Sequence, residues 1–456
     1  MVRLEFKGGT SNKFWEIATK GAANTVRWGR IGTTGQDMRF PFPSAAGAKA
    51  EATRLIAEKK KKGYREVGGK DEPKKAQAIN QASPRNADLE KLIARAPFEV
   101  EAYLVYADWL SGAGDPRGEL ITIQHSLSTM AAAERKSPRG KALAARATLI
   151  LKQNQQFLPG VSPELVTVTW RWGFIESVLF QNNDDWMSPD YEVVPVVKQV
   201  LASPAVVGLT ELRVGVQRWE WGEKDVPAVL KTVGASPVGA QIRRLSVGPT
   251  EDDDIDTAHF TPGKLDGISN YFPALESLRV HGADFTLGAL ELPKLRELTI
   301  ETCGLSRRNM KSITAARWPE LERLELWFGS EEHGAQCGVK DLAGLLDGAA
   351  FPRVKHLGLR NAELTDALCK ALPKVRILKQ LETLDLSMGT MSDEGARSLA
   401  ADPQALRHLA TITVTDNFLS RAGLAELRKI GPTIVSKEQK DLDDDDPSFR
   451  YVSVAE

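Results

Sequence analysis

The chain is poor in the groups that most catalytic chemistry needs. Its 456 residues include three cysteines, Cys303, Cys337 and Cys369, and six histidines. An odd number of thiols, none in a Cys-x-x-Cys pair, argues against both a disulfide framework and a thiolate metal cage. No apolar run approaches the ~18–20 residues that span a bilayer. The opening Met1-Val2-Arg3-Leu4-Glu5-Phe6 carries charge where a signal peptide has an apolar core. A cytoplasmic protein without membrane contact is therefore expected. The Gly-x-x-x-x-Gly-Lys-Ser/Thr, His-Glu-x-x-His and Gly-x-Ser-x-Gly motifs are missing. His333 and Cys337 have a ligand spacing but no second pair. No catalytic residue, cofactor, metal or small-molecule substrate is expected, and no enzymatic activity.

Net charge is also lacking, because 60 basic residues balance 60 acidic ones. The balance is a cancellation along the chain. Residues 1–80 hold 17 Lys or Arg against 8 Asp or Glu. The last 16 residues hold Asp441, Asp443, Asp444, Asp445, Asp446 and Glu456 against Arg450. A basic head and an acidic tail speak of partners, not of fold. At this length two to four domains are expected.

What is present begins with a strand-rich segment. Leu4 and Phe6 alternate with charged neighbours, and Phe14-Trp15-Glu16-Ile17 and Thr25-Val26-Arg27-Trp28 are β-rich runs. Gly8-Gly9 and Lys20-Gly21 punctuate them as turns. Ser44 is placed to cap a helix from Ala45 to Lys62, with Ala48, Ala52, Leu55 and Ile56 on one side and Gly63 as its stop. A twisted antiparallel sheet crossed by one helix would bury Trp15, Ile17, Val26, Leu55 and Ile56.

Lys13-Phe14-Trp15-Glu16-Ile17, then Val26-Arg27-Trp28-Gly29-Arg30-Ile31-Gly32, then Ala46 to Ile56 and Lys61-Lys62-Gly63-Tyr64 resemble the WGR domain in order and spacing. The likeness covers residues 1–67, a small α+β unit. WGR domains occur in poly(ADP-ribose) polymerases, where they help bind DNA ends, and in bacterial proteins without that catalytic domain. The resemblance implies nucleic-acid contact, DNA before RNA, by Trp28, Gly29 and Arg30, with Gly32 holding the turn. An exposed indole can stack on a base for ~1–3 kcal/mol, and an adjacent guanidinium can grip phosphate with two hydrogen bonds. Gly29 would let the backbone approach closely. The alternative is that Trp28 is core and Arg30 pairs with a carboxylate. Lys59, Lys60, Lys61 and Lys62, with Arg65, end the helix; four lysines exceed what a helix dipole requires and suit a phosphate-contacting edge.

Residues 68–86 are polar, contain Gly and Pro, lack periodicity and read as a flexible linker. Helical spacing returns over 87–160: Leu89, Leu92 and Ile93, then Leu104, Tyr106 and Leu110, and later Leu143, Ala147, Ile150 and Leu151. The run from Tyr106-Ala107-Asp108-Trp109 to Asp115-Pro116-Arg117-Gly118-Glu119 is similar to a short domain that accompanies repeat arrays in some bacterial families. Gly112 and Gly114 lack the rest of a dinucleotide loop. Asp115-Pro116 suits a helix start, and Asp108 and Glu119 have no nucleophile or metal ligand near them.

From 161 to 436 one template recurs, L-x-x-L-x-L. Its copies are Leu209/Leu212/Val214, Ile242/Leu245/Val247, Leu275/Leu278/Val280, Leu295/Leu298/Ile300, Leu321/Leu324/Leu326, Val354/Leu357/Leu359, Leu381/Leu384/Leu386 and Leu409/Ile412/Val414, with Ile175/Val178/Phe180 as an earlier one. Two copies continue to Cys303 and Asn417, the side chains that complete the pattern. These units resemble leucine-rich repeats. No unit alone can hide its apolar stripe; stacked neighbours build a continuous core. The expectation is an α/β chain: the WGR-like domain, a helical module, then a curved solenoid with a parallel sheet on its concave side.

Strand alternation sets a polar row on that sheet, including Glu325, His356 and Asp385. Its candidate protein-binding residues are Arg213, Arg279, Arg323, Trp327 and Arg360, Trp327 because an exposed indole on such a face is a common contact residue. Residues 437–456 read as a disordered acidic tail, and Glu251-Asp252-Asp253-Asp254-Ile255-Asp256 as a loop between repeats. The expected function is a non-enzymatic adaptor, nucleic acid on the first module and a protein on the repeats. The alternative is a scaffold that binds only proteins.

Overall fold

The computed structural model describes residues 2–8, 11–31, 36–42, 44–62, 64–67, 84–154, 157–158, 161–162, 164–181, 193–216, 224–249, 257–442, 446 and 448–455. Most of the expected linker, the turn at Gly32 and the acidic run 251–256 lie outside these residues. By its internal contacts the chain divides into two units, Met1–Gln81 and Ala82–Glu456.

In the first unit, β1 (Val2–Gly8), β2 (Ser11–Lys20), β3 (Ala23–Arg30), β4 (Gln36–Pro41) and β5 (Arg65–Val67) form one antiparallel sheet in the order β4-β3-β2-β1-β5. Helix α1 (Ala45–Lys61) starts where Ser44 Oγ accepts the Gly47 amide at 3.0 Å. Leu4, Trp15, Ile17, Val26 and Ala52 make the core, with Trp28, Leu55, Ile56 and Tyr64 packed at its margin. Asn24 pins helix to sheet: its Nδ2 donates to the Ala48 carbonyl at 2.8 Å, and its Oδ1 accepts from Thr19 at 2.7 Å.

The second unit opens with helices α2 (Ala87–Arg95), α3 (Val100–Gly112), α4 (Arg117–Thr129), α5 (Ala132–Arg135) and α6 (Pro138–Gln153). The Asp115-Pro116-Arg117 motif proves structural. Asp115 Oδ1 accepts the Arg117 amide at 2.8 Å, and the Arg117 side chain is wholly buried among the rings of Tyr106, Phe157 and Phe174 at 5.7–5.9 Å. Asp108 and Glu119 form no pair; Glu119 binds Arg146 at 2.6 Å. Sequence sets the helices apart from the repeats, yet the two share a core. Phe174, from the first hairpin of the sheet, packs with Ile93, Tyr103, Tyr106 and Leu110.

That hairpin, β6 (Val166–Arg171) and β7 (Phe174–Gln181), is antiparallel and forms one end of an eleven-stranded sheet. Beyond it every pairing is parallel: Glu211–Gly215, Arg244–Val247, Ser277–His281, Glu297–Glu301, Arg323–Gly329, His356–Ala362, Thr383–Asp385, Thr411–Thr413 and Thr433–Val435. Every template residue, from Ile175 to Val414, is at most 4% exposed. The register aligns like with like, Leu278 on Leu298, Leu298 on Leu324, Leu324 on Leu357 and Leu357 on Leu384. Asn417 explains its place in the pattern: buried, it donates to the carbonyls of Leu386, Val414 and Thr415 and accepts the Met391 amide.

The sequence expectation of a disordered tail is corrected. Residues 443–445 and 447 are not described, but Val452 is only 3% exposed, and the Val454 amide donates to Asn361 Oδ1 at 2.9 Å. Charge density marked 441–446 as a solvated segment; it gave no notice that Phe449, Tyr451 and Val452 supply apolar area beyond it.

Candidate functional site

In the first unit, the strand register decides what each basic or aromatic residue can do. Trp28 pairs with Trp15, which pairs with Leu4, so all three fall on the sheet face that α1 covers. Trp28 is accordingly half-buried against the core. Gly29 falls on the other face, opposite Phe14. The Arg30 side chain lies outside the described residues; its backbone pairs with Lys13.

The lysine run divides by environment. Lys59 places its ammonium over the rings of Trp15 and Tyr64, at 5.7 and 5.4 Å. Lys60 binds Glu66 at 2.6 Å. Lys61 and Lys62 are exposed. Arg65 is exposed on β5, opposite Glu5, hence on the face away from α1. The lysines and Arg65 do not form the single edge that their order along the chain implies.

That other face carries a cluster that sequence reasoning missed. Glu16 is buried between Arg3, at 2.7 Å, and Arg27, at 2.8 Å, and both guanidiniums lie over the Phe14 ring. The only sequence signal is alternation, which puts Arg3, Glu16 and Arg27 in one cross-strand row.

On the large sheet of the second unit, three of the five candidate residues meet around one carboxylate. Glu325 contacts Arg360 at 2.5 Å, Arg323 at 2.8 Å, the Trp327 indole nitrogen at 3.5 Å and the His356 ring at 3.6 Å. The Arg360 guanidinium covers the Trp327 ring at 5.1 Å. Burial pushes the Glu325 carboxyl up, but His356, Arg360 and Arg323 outweigh it and hold it well below the usual carboxylate range. Gly358 is what admits this arrangement. It sits opposite Glu325 in the next strand, and a Cβ there would lie 2.9 Å from Glu325 Cγ. A glycine within a strand pattern is the signal that could have found this hub.

Arg279 belongs to a second cluster, where Glu301 accepts from it at 2.5 Å and meets His281 Nδ1 at 3.0 Å. Burial raises the Glu301 carboxyl, and His281 and Arg279 more than reverse that. Arg213 stands half-buried in the same row as Arg279. The three thiols are buried, and burial pushes Cys337 up to about 11, so it is a weak nucleophile and a weak metal ligand. Among the described residues no three His, Cys, Asp or Glu side chains gather as a metal site, and no helix is long and apolar enough to cross a membrane.

This register, with the Trp28-Gly29-Arg30 strand second from the sheet edge and α1 across one face, meets the comparison that decides it. Residues 1–71 match the WGR domain. The WGR domain thus occupies the first unit. Protein YehF of Escherichia coli is 36% identical over 87 residues, 19% of this chain and 31% of that protein. YfeS of the same organism is 41% identical over 56 residues, 12% of this chain and 23% of that protein. The ribonuclease inhibitor of Sus scrofa, a leucine-rich-repeat protein, is 33% identical over 134 residues, 29% of this chain and 28% of that protein. The chain spans less than a third of the length of each of these relatives. The WGR domain and the leucine-rich repeats are both non-catalytic families.

Proposed function

We propose that this protein is a non-enzymatic adaptor whose WGR domain binds nucleic acid, DNA in preference to RNA, and whose repeats form a leucine-rich solenoid that holds a protein partner. The carrying observation is the basic WGR domain itself, 15 Lys or Arg against 7 Asp or Glu over residues 1–71. On this reading Lys61, Lys62 and Arg65, all exposed, contact phosphate, and the Trp28-Gly29-Arg30 strand approaches the nucleic acid. Lys59 and Lys60 support the fold, through the Trp15 and Tyr64 rings and through Glu66.

The test is binding of the full chain to a labelled DNA end across a salt series. Three phosphate contacts predict a slope of about −3 in log affinity against log salt. Lys61→Glu with Lys62→Glu should flatten that slope by about two and leave the melting temperature unchanged. Binding insensitive to both salt and these substitutions would remove the nucleic-acid reading. Trp28→Phe is the appropriate indole test, since Trp28→Ala would also open the core.

A scaffold that binds proteins alone is favoured by one observation. The Trp28 indole is half-buried against the WGR core, which leaves less of it for base stacking. On the repeats, Arg323, Trp327 and Arg360 are the proposed contact residues, with Arg279 and Arg213 farther along the face. Because Glu325 and Glu301 neutralise most of these cations, a partner of mixed charge fits better than a polyanion. Retention of the partner by wild-type chain and its loss with Trp327→Ala in a folded variant tests that assignment.

A further inference from the structure

At three successive repeats the residue two places beyond the last apolar strand position has a left-handed backbone, Asn361 at φ 52°, Met388 at 66° and Asp416 at 58°, and Glu438, which follows the next strand in the same register, has φ 45°. Their backbones stack, since Asn361 N donates to Ser387 O, Met388 N to Thr415 O and Asp416 N to Lys437 O. At this row the Met388 carbonyl and the Asp416 and Asn361 side chains bind the returning C-terminal segment. Ser453 Oγ donates to Asp416 Oδ2, and the Ser453 amide donates to Met388 O at 3.0 Å. Asn361 then reads both backbone groups of Val454: Oδ1 accepts its N–H at 2.9 Å and Nδ2 donates to its C=O at 2.6 Å.

The two side chains are held differently, with Tyr451 48% exposed. Tyr451 packs edge-on against Phe418 at 5.4 Å, and the Lys440 ammonium sits 5.3 Å from both rings while donating to Tyr451 O at 3.0 Å and Gly389 O at 3.1 Å. Val452 is buried. Arg450 adds a distant ion pair with Asp366, 3.8 Å away.

An end cap has a different task. The open edge of the sheet is Thr433–Val435, and a cap would cover that strand. This segment instead runs back from Asp416 past Met388 to Asn361, over repeats that already have a neighbour on each side. A carboxamide paired with the N–H and C=O of one residue recognises extended backbone whatever its side chain, while the ring and ammonium contacts of Tyr451 and the burial of Val452 favour an aromatic residue followed by an aliphatic one.

We propose that the stacked turns of Asn361, Met388 and Asp416, with Phe418 and Lys440, form a peptide-binding groove that the chain's own residues 450–454 occupy in cis. Its partner in trans is an extended peptide with an aromatic and then an aliphatic residue. The tethered segment competes at an effective concentration of the order of millimolar, so the groove opens only to a tighter peptide or when the tail is displaced. This surface adjoins the strand face proposed above, since Arg360 donates to the Met388 thioether at 2.9 Å.

The test uses a fluorescein-labelled peptide of residues 446–456 and anisotropy. Chain 1–442, checked by circular dichroism, should bind it saturably, and the full chain at least tenfold more weakly. Asn361→Asp, which keeps size and left-handed tolerance but removes the donor, should weaken binding to 1–442 at least tenfold. A peptide with Val452→Asp should not bind. If truncation unfolds the chain, the full chain with Tyr451→Ala and Val452→Ser releases the tail and should bind the wild-type peptide. No saturable binding by a folded form with the tail removed or released, or equal binding by the occupied and released forms, overturns the proposal. So does fast hydrogen exchange at the Ser453 and Val454 amides of the full chain.

Discussion

A carboxylate buried on a strand face is costly unless cations and donors surround it. Glu325 has Arg323, Arg360 and His356 around it, and Gly358 leaves the space in which they meet. Glu325→Gln should therefore lower stability by about 2–3 kcal/mol, read from denaturant unfolding. Because its folded pKa lies below the ordinary value of 4.5, its stabilisation is complete above that pH and is lost as pH falls toward the folded value. The wild-type melting temperature should fall more steeply below pH 4.5 than that of Glu325→Gln. Gly358→Ala should cost about 1–3 kcal/mol by pressing its methyl on Glu325 Cγ, and Glu325→Ala should relieve that cost in the double variant. Arg323, Trp327 and Arg360 were legible one at a time as exposed-face residues. Their convergence was not, because it depends on pairing between strands about thirty residues apart.

Among elements, the clearest local rule joins one helix start to the next. Ser392 caps its own helix, Asp393–Ala400, through the Glu394 and Gly395 amides, and its hydroxyl and amide both donate to Asp366 of the preceding repeat. Ser420 repeats this with Asp393, through bonds of 2.6 and 3.0 Å. Gly395 and Gly423 follow from the same contact, for a Cβ at either would lie 2.1 Å from that aspartate's Oδ1. Asp393→Ala should remove two acceptor contacts and cost about 1–2 kcal/mol. The loss should appear as faster hydrogen exchange in the helix Arg421–Arg428 before any change in the WGR domain. The sequence marks Ser392 as a cap, yet no local pattern tells that its hydroxyl also serves the repeat before it.

Across the whole molecule, each parallel strand of the large sheet pairs only with the strands on its two sides. Stability in such an array is a sum of unit and neighbour terms. Leu324 is fully buried and aligned with Leu298 and Leu357, so Leu324→Ala should cost about 2–5 kcal/mol. Exchange should accelerate most in Glu297–Glu301 and His356–Ala362 and decay outward; equal acceleration throughout the sheet would contradict a nearest-neighbour account. At this scale the chain's net charge of zero conceals its organisation, since the excess of cations lies in the WGR domain.

By itself the sequence determined the WGR domain and the periodic apolar ladder, because both are written in short-range spacing that burial alone enforces. Tertiary structure decided which charges are already spent. Glu16, Glu325 and Glu301 meet their arginines, and the end of the chain finds Asn361, through contacts between residues far apart along the chain. Spacing cannot encode such meetings, since they arise only once strands have stacked in register.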